Sequence, residues 1–320
     1  MIDWTDRHCR YFHRLLTRHA FLYSEMITAA AILHGDVEHL LGFDKSEHKL
    51  ALQLAGSDPQ ALAKAARIGE TFGYDEINFN VGCPSDRVQE GRFGACLMAT
   101  PALVAECMGA MREAVQIPVT IKHRLGIDDQ DTEGTLDKFV DTVAASGCRT
   151  FIVHARKAWL EGLDPKQNRE IPPLDYDRVH RLKRDFPELE IIINGGLASL
   201  ADSQRQLAHV DGVMLGRGAY QEPFLLAAVD AAIYDAKTPS PTRREVVEKM
   251  IAYTQDQMDR GAKLHHITRH MLGLYHARPG ARAWRRHISE NAHKPGANAE
   301  ILREALEIVQ EQARNSRTGI

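Results

Sequence analysis

One thiol in this sequence is placed to give or take a proton. Cys83 lies in Gly82-Cys83-Pro84, directly after the short apolar run Glu76–Asn80. Proline fixes the local backbone, so the thiol is held in one direction. Asn78 and Asn80, just before it, can donate or accept hydrogen bonds to an amide-like ring. Lys122 ends another apolar run. A buried ammonium needs an anionic partner, either a ligand or a salt bridge lining the interior. Asn194-Gly195-Gly196 and Gly216-Arg217 end two later runs. Glycines let backbone N–H groups approach an anion, a following helix N-terminus favours it, and Arg217 adds a charge-assisted contact. The expected ligand there carries a phosphate.

The other thiols read differently. Cys9, Cys107 and Cys148 are expected as small buried hydrophobes, and Cys96 is a lesser candidate on the Cys83 loop. Five widely spaced cysteines without a CxxC pair imply reduced thiols and no structural zinc. His266 and His270 have the i, i+4 spacing of metal ligands but no evident third ligand, so no metal is expected.

These groups need elements to position them. Strands are expected at Phe21–Met26, Leu50–Leu54, Glu76–Asn80, Pro118–Lys122, Thr150–His154, Ile191–Asn194 and Gly212–Leu215. Each is short and nearly continuously apolar, as strands buried on both faces are. Helices lie between them: one opens at Asp58-Pro59 and ends near Gly73, one opens at Thr100-Pro101, and Ser199 caps Leu200–Ala208. Alternating strands and helices predict an α/β fold with a parallel sheet, here a (β/α)8 TIM barrel. Such a barrel has eight strands. Seven are found, the chain opens on a helix over Asp6–Arg18, and the first strand is expected to precede Met1. Function in these barrels sits at the C-terminal strand ends. In order, those ends read Gln53, Asn78–Ser85, Lys122–Arg124, His154–Lys157, Asn194–Gly196 and Gly216-Arg217. Six successive polar ends point to a site rather than to packing.

After a Pro-rich linker at Lys237–Thr242 the pattern becomes helical, with runs at Arg244–Arg260, Ile267–Tyr275, Ala281–Glu290 and Ala299–Ala313. The expected domains are a barrel over 1–238 and a small all-α domain over 239–320. Net charge is −3, yet residues 241–320 hold fourteen Lys and Arg against nine Asp and Glu. A basic tail on an acidic body suits a polyanion, although a solvated helical face would look the same. With 44% hydrophobic and 26% charged residues the composition is that of a globular enzyme. No run approaches the roughly 20 apolar residues of a membrane helix, and charges interrupt the N-terminus where a signal peptide has its apolar core. A cytoplasmic monomer is expected.

The motifs NFNVGCPS (Asn78–Ser85), GRFGACLM (Gly91–Met98), KHR (Lys122–Arg124), HARKAWL (His154–Leu160), NREIPPL (Asn168–Leu174), NGG (Asn194–Gly196) and GVMLGR (Gly212–Arg217) together resemble the tRNA-dihydrouridine synthase family, with the loops of its A-type subfamily. The resemblance spans essentially the whole chain. It implies an FMN-bound barrel and a helical tRNA-binding domain. FMN contacts would be Met1, Gln53, Lys122, His154, Asn194, Gly195, Gly196, Gly216 and Arg217. Cys83 would be the proton donor. Asn80 and Arg124, with Lys122, would hold the uracil edge, and Lys166, Arg169, Arg282 and Arg285 would contact tRNA. The implied substrate is a D-loop uridine at tRNA position 20, also 20a, with NADPH or NADH as reductant. In the family, the stretch seen here as Asp3–Asp6 follows a strand ending in Ala-Pro-Met. This sequence opens at that Met, which implies a start-site error or a truncation. The competing expectations are an FMN barrel oxidising or reducing a free pyrimidine, and a non-catalytic tRNA-binding protein.

Overall fold

The computed structural model describes residues 1–85 and 91–318. It divides into two compact units. One holds Met1–Ile2, Phe21–Phe43 and His48–Gly216, and the other holds Asp3–Ala20, Asp44–Glu47 and the chain from Arg217 onward.

The first unit is built on seven parallel strands in sequential order: β1 (Leu22–Thr28), β2 (Leu50–Ala55), β3 (Glu76–Val81), β4 (Val119–Arg124), β5 (Thr150–His154), β6 (Glu190–Asn194) and β7 (Gly212–Met214). Sequential order with every pair parallel is the arrangement of a β/α barrel. The strands predicted from the sequence are all present, shifted at their ends by no more than two residues. Helices fill the crossovers for reasons visible locally. The Asp58 carboxylate accepts the Ala61 N–H at the start of Pro59–Phe72, and Gly73 ends that helix at φ 107°. The Ser199 hydroxyl accepts from Asp202 N–H and starts Leu200–Leu207.

Alternation sorts the strand residues onto two faces. Leu52, Leu54, Ile77, Phe79, Val81, Ile121, Phe151, Val153, Ile191 and Ile193 form the apolar core with the helices. The intervening residues of β2 to β4 include Gln53, Glu76, Asn78, Asn80, Thr120, Lys122 and Arg124. This polar set is nonetheless largely buried, with Asn78 fully so and Gln53, Glu76 and Asn80 each 8% exposed. The strands are therefore not continuously apolar. Their second face is a buried polar lining.

The second unit joins the N-terminal helix Arg7–Leu16 to the chain beyond Arg217. The Asp6 carboxylate accepts the Cys9 N–H and also binds Arg269 and His270, at 2.7 and 3.0 Å. Burial works to raise the Asp6 pKa, but His270, Cys9 N–H and Arg269 outweigh it and hold it well below the usual carboxylate range. Tyr11 stacks on Tyr253 with ring centroids 3.8 Å apart. Those contacts are why the N-terminal helix groups with the tail, although the linker at 237–242 is the only break that composition shows.

Three tail helices match expectation: Arg243–Asp259, opened by a Thr242/Glu245 capping box, Ala281–Asn291 and Glu300–Thr318. The single helix expected over Ile267–Tyr275 does not form. A short helix, Leu264–Thr268, tightens to a 3-10 turn at Arg269–Met271, where two successive side chains both reach Asp6. Gly273 then lies where a Cβ would stand 2.3 Å from the Gln221 carbonyl oxygen. Trp284 is fully buried and donates to the Met271 carbonyl at 2.9 Å, so it is a core residue of this unit.

Each unit buries a histidine in its neutral form. Burial, with His270 nearby, lowers the His13 pKa to about 3. Burial first, and then Lys122, lowers that of His123 to about 4, against the opposing hydrogen bond to the Arg124 carbonyl. The unfolded chain takes up protons at both positions as pH falls through about 6.5, whereas the folded one does not until pH 3 to 4. Stability from these groups is therefore complete above pH 6.5 and lost below it, by up to about 1.4 kcal/mol per pH unit for each histidine. The melting temperature is expected to fall from pH 6 to 4.5, because the loss at these two rings exceeds the gain from protonating Glu76, whose pKa burial raises to about 7. A flat profile down to pH 4.5 would show that these rings protonate inside the fold.

Candidate active site

Cys83 stands just past the end of β3 and is half-buried. Asn80 holds its turn: the side-chain oxygen accepts the backbone N–H of Gly82 and of Cys83, both at 3.1 Å. The Asn80 Nδ2 donates to Gln53 Oε1 at 2.8 Å, which ties β3 to β2. Among the described residues, the thiol has one side-chain neighbour within bonding reach, the Ser85 hydroxyl at 3.6 Å. Lys122 pairs with Asn80 in the β3–β4 register and so lies beside it on the polar face. Its ammonium has no hydrogen-bond or ion-pair partner among the described residues. Burial and the neighbouring Arg124 pull its pKa down to about 8. A cation placed this way suits an electron-rich ligand edge.

The glycine turns fit a phosphate. Gly195 and Gly196 have φ 111° and 69°, which only glycine adopts freely. A Cβ on Gly195 would stand 2.7 Å from the His154 ring, so His154 and this turn are in close contact. Asn194 donates to the Met214 carbonyl at 2.7 Å, and Tyr176 donates to the Gly195 carbonyl at 2.7 Å. Met1 is brought to the last strand end, where a Cβ on Gly216 would lie 3.5 Å from its sulfur. Gln53, Asn80, Cys83, Lys122, Arg124, His154, Asn194, Gly195 and Gly196 thus all sit at consecutive C-terminal strand ends of one unit. Arg217 opens the short helix Arg217–Gln221 of the other unit. Among the described residues no group of three or more His, Cys, Asp or Glu could hold a metal ion, and no helix is long and apolar enough to cross a membrane.

A profile of the family described as dihydrouridine synthase matches residues 1–312. The chain belongs to the dihydrouridine synthase family. Its relatives include a tRNA-dihydrouridine(20/20a) synthase of Vibrio parahaemolyticus, 59% identical over 96% of this chain and 94% of that one. Another of that name, from Escherichia coli, is 57% identical over 97% of this chain and 93% of the other. Among solved structures, morphinone reductase superposes with a TM-score of 0.52 at 12% identity, covering 77% of this chain and 85% of its own. That likeness shows the barrel fold.

In this dihydrouridine synthase Arg124 does structural work that its motif position did not announce. It is 4% exposed, and burial lowers its pKa to about 10. Its guanidinium donates to three carbonyls, those of Gly82 at 3.1 Å, Lys157 at 3.0 Å and Asn168 at 3.0 Å. It therefore braces the Cys83 turn against the loop after β5, and among the described residues its Nη2 group makes no hydrogen bond. Asn168 organises that loop from within. Fully buried, it accepts from Trp159 N–H at 2.7 Å and donates to the Trp159 and Leu163 carbonyls at 2.8 and 3.0 Å. Asn168→Ala removes three hydrogen bonds worth about 1 kcal/mol each. We expect faster protease cleavage within 157–171 and a drop in global stability of up to about 3 kcal/mol; unchanged cleavage would show the loop is held from elsewhere.

The remaining candidates are surface cations. Lys166 is exposed and Arg169 half-buried on the Asn168 loop. Arg282 and Arg285 are exposed on Ala281–Asn291, in the second unit, opposite buried Ala283, Trp284 and Ile288.

Proposed function

We propose that this chain is an FMN-dependent reductase of the C5–C6 double bond of uridine in the tRNA D-loop, acting at position 20 and also 20a, with NADPH or NADH supplying the electrons. The observation that carries the reading is the placement of Cys83: a thiol pinned by Asn80 beside the unpaired ammonium of Lys122, at the strand ends of a barrel. Family membership and the names of the relatives support the substrate.

The residues present fit a flavin mononucleotide. Gly195, Gly196, Gly216 and Arg217 would hold its phosphate, Lys122 the electron-rich edge of its ring, and Gln53, His154, Asn194 and Met1 its remaining contacts. When bound and reduced, this group supplies the hydride that C6 of the uracil ring accepts. Cys83 gives its thiol proton to C5. Asn80 and the free Nη2 of Arg124 orient the uracil edge. A tRNA base must be unstacked to reach the strand ends, at a cost of a few kcal/mol and less for a loop base. Lys166, Arg169, Arg282 and Arg285 would offset that cost by binding phosphates.

The test is incubation of the purified protein with NADPH and unmodified tRNA, followed by mass spectrometry of the nucleosides. A gain of about two daltons confined to a D-loop uridine supports the reading. Equal reduction of free uridine would instead favour an enzyme of free pyrimidines. Tight tRNA binding by a colourless, inactive protein would favour the non-catalytic reading.

A further inference from the structure

A continuous chain of side-chain hydrogen bonds runs across β2, β3 and β4 and ends at the Cys83 turn. From that turn inward, the Gly82 and Cys83 N–H groups donate to Asn80 Oδ1. Asn80 Nδ2 donates to Gln53 Oε1, Gln53 Nε2 to Asn78 Oδ1, and Asn78 Nδ2 to Thr120 Oγ1, each at 2.8 Å. Thr120 Oγ1 donates to Glu76 Oε1 at 2.6 Å. All five side chains are at most 8% exposed.

Both ends of the chain force its direction. A backbone N–H can only donate, so Asn80 must turn its oxygen toward the Cys83 loop. Its nitrogen then faces Gln53, which must answer with oxygen, and the same logic passes through Asn78 to Thr120. The Thr120 hydroxyl accepts from Asn78 and so turns its own proton to Glu76. The carboxyl oxygen closes the chain as an acceptor, and Tyr23 donates to that same oxygen at 3.1 Å. Rotating any one amide would set donor against donor in a buried site. Burial raises the Glu76 pKa to about 7. Both bonds land on Oε1, so Oε2 can carry a proton without breaking the chain.

We propose that Glu76 is a positioning residue for Cys83: through Thr120, Asn78 and Gln53 it fixes the orientation of the Asn80 amide that holds the Cys83 turn. The inference rests on Cys83 being the acid in uridine reduction. It also fixes what the site shows a ligand. Two N–H groups fill the Asn80 oxygen, so the atom left over on Asn80 is a donor. A ring carbonyl matches that donor, and an exocyclic amino group does not, which favours a uracil edge over a cytosine edge.

Hydrogen exchange of the segment 79–85 reads the chain without tRNA. In Glu76→Met and in the nearly isosteric Thr120→Val the acceptor end is lost, and exchange at Gly82 and Cys83 is expected to speed by about tenfold or more. Uridine reduction by the pre-reduced enzyme should slow by about tenfold to a hundredfold, with NADPH oxidation unchanged. Glu76→Gln keeps an oxygen for Thr120 and should behave as wild type in both assays. Wild-type exchange in Thr120→Val overturns the proposal, as does a Glu76→Gln variant as impaired as Glu76→Met. If exchange responds as expected while the wild-type protein makes no dihydrouridine, the chain stands and the functional reading falls.

Discussion

Cys83→Ala is expected to make almost no dihydrouridine while still binding flavin and oxidising NADPH. The reaction divides into two halves that use different residues. In the proposed reading, flavin binding draws on the glycine turns at 195, 196 and 216, on Lys122 and on His154, and protonation of C5 draws on Cys83. A positioned general acid contributes about 10² to 10⁴ in rate, and the second half-reaction should fall by that factor. The substitution is well tolerated by the fold, because the Cys83 side chain is half-buried and the turn is held by its backbone N–H on Asn80. Cys83→Ser should recover little, since a hydroxyl is a far weaker acid than a thiol. Wild-type product formation by Cys83→Ala would remove Cys83 from the reaction. Cys96 would be the next thiol to test, although burial raises its pKa and it donates to the Phe93 carbonyl at 3.1 Å.

The barrel was legible because several crossovers carry their own punctuation. Asp58-Pro59 and Gly73 bracket one helix, Ser199 opens another, and the strands were read as short, nearly continuously apolar runs between them. The polar lining was harder to read. Glu76-Ile-Asn-Phe-Asn-Val81 and Val119-Thr-Ile-Lys-His-Arg124 alternate polar and apolar in a way that equally suits a strand with one face in water. Burial of that second face is set by the tertiary fold, where Gln53, Glu76, Asn78, Asn80 and Thr120 are each at most 8% exposed. The tail helix over 267–275 failed for a similar reason. Its periodicity is helical, but Asp6 is more than 260 residues away in sequence and draws Arg269 and His270 into a tighter turn.

The site was legible where chemistry clusters at strand ends, and less so where a residue acts through others. The Gly-Cys-Pro turn and the Asn-Gly-Gly turn advertise themselves. Glu76 and Thr120 sit mid-strand with no motif. Their signal lies in parity: Glu76, Asn78 and Asn80 share one face with Thr120, Lys122 and Arg124 in the observed register. Sequence alone gives the parity within each strand but not the register between strands. Arg124 is the instructive case. The motif suggested a ligand contact, whereas three carbonyl partners show that most of its donors hold loops together.

Reversing Arg282 and Arg285 to Glu is expected to weaken tRNA binding by on the order of a hundredfold at low salt. Both side chains are exposed on Ala281–Asn291, three residues apart and therefore on one helix face, with Arg286 beside them. Among the described residues none of the three has an ion-pair partner. Each is thus available to a phosphate, and each lost contact should reduce the slope of log affinity against log salt by about one. The double variant should therefore lose about two from that slope, with melting temperature and flavin content unchanged, because no buried group is touched. Arg303 supplies the control. It is exposed as well, but Glu300 already neutralises it at 2.8 Å, so Arg303→Glu should alter binding far less. If Arg303→Glu weakens binding as much per reversed charge as the double variant does, attraction comes from the net charge of the tail rather than from a built surface. If only the Arg282/Arg285 variant does so, with a salt slope lowered by about two, that helix face is where the polyanion lies.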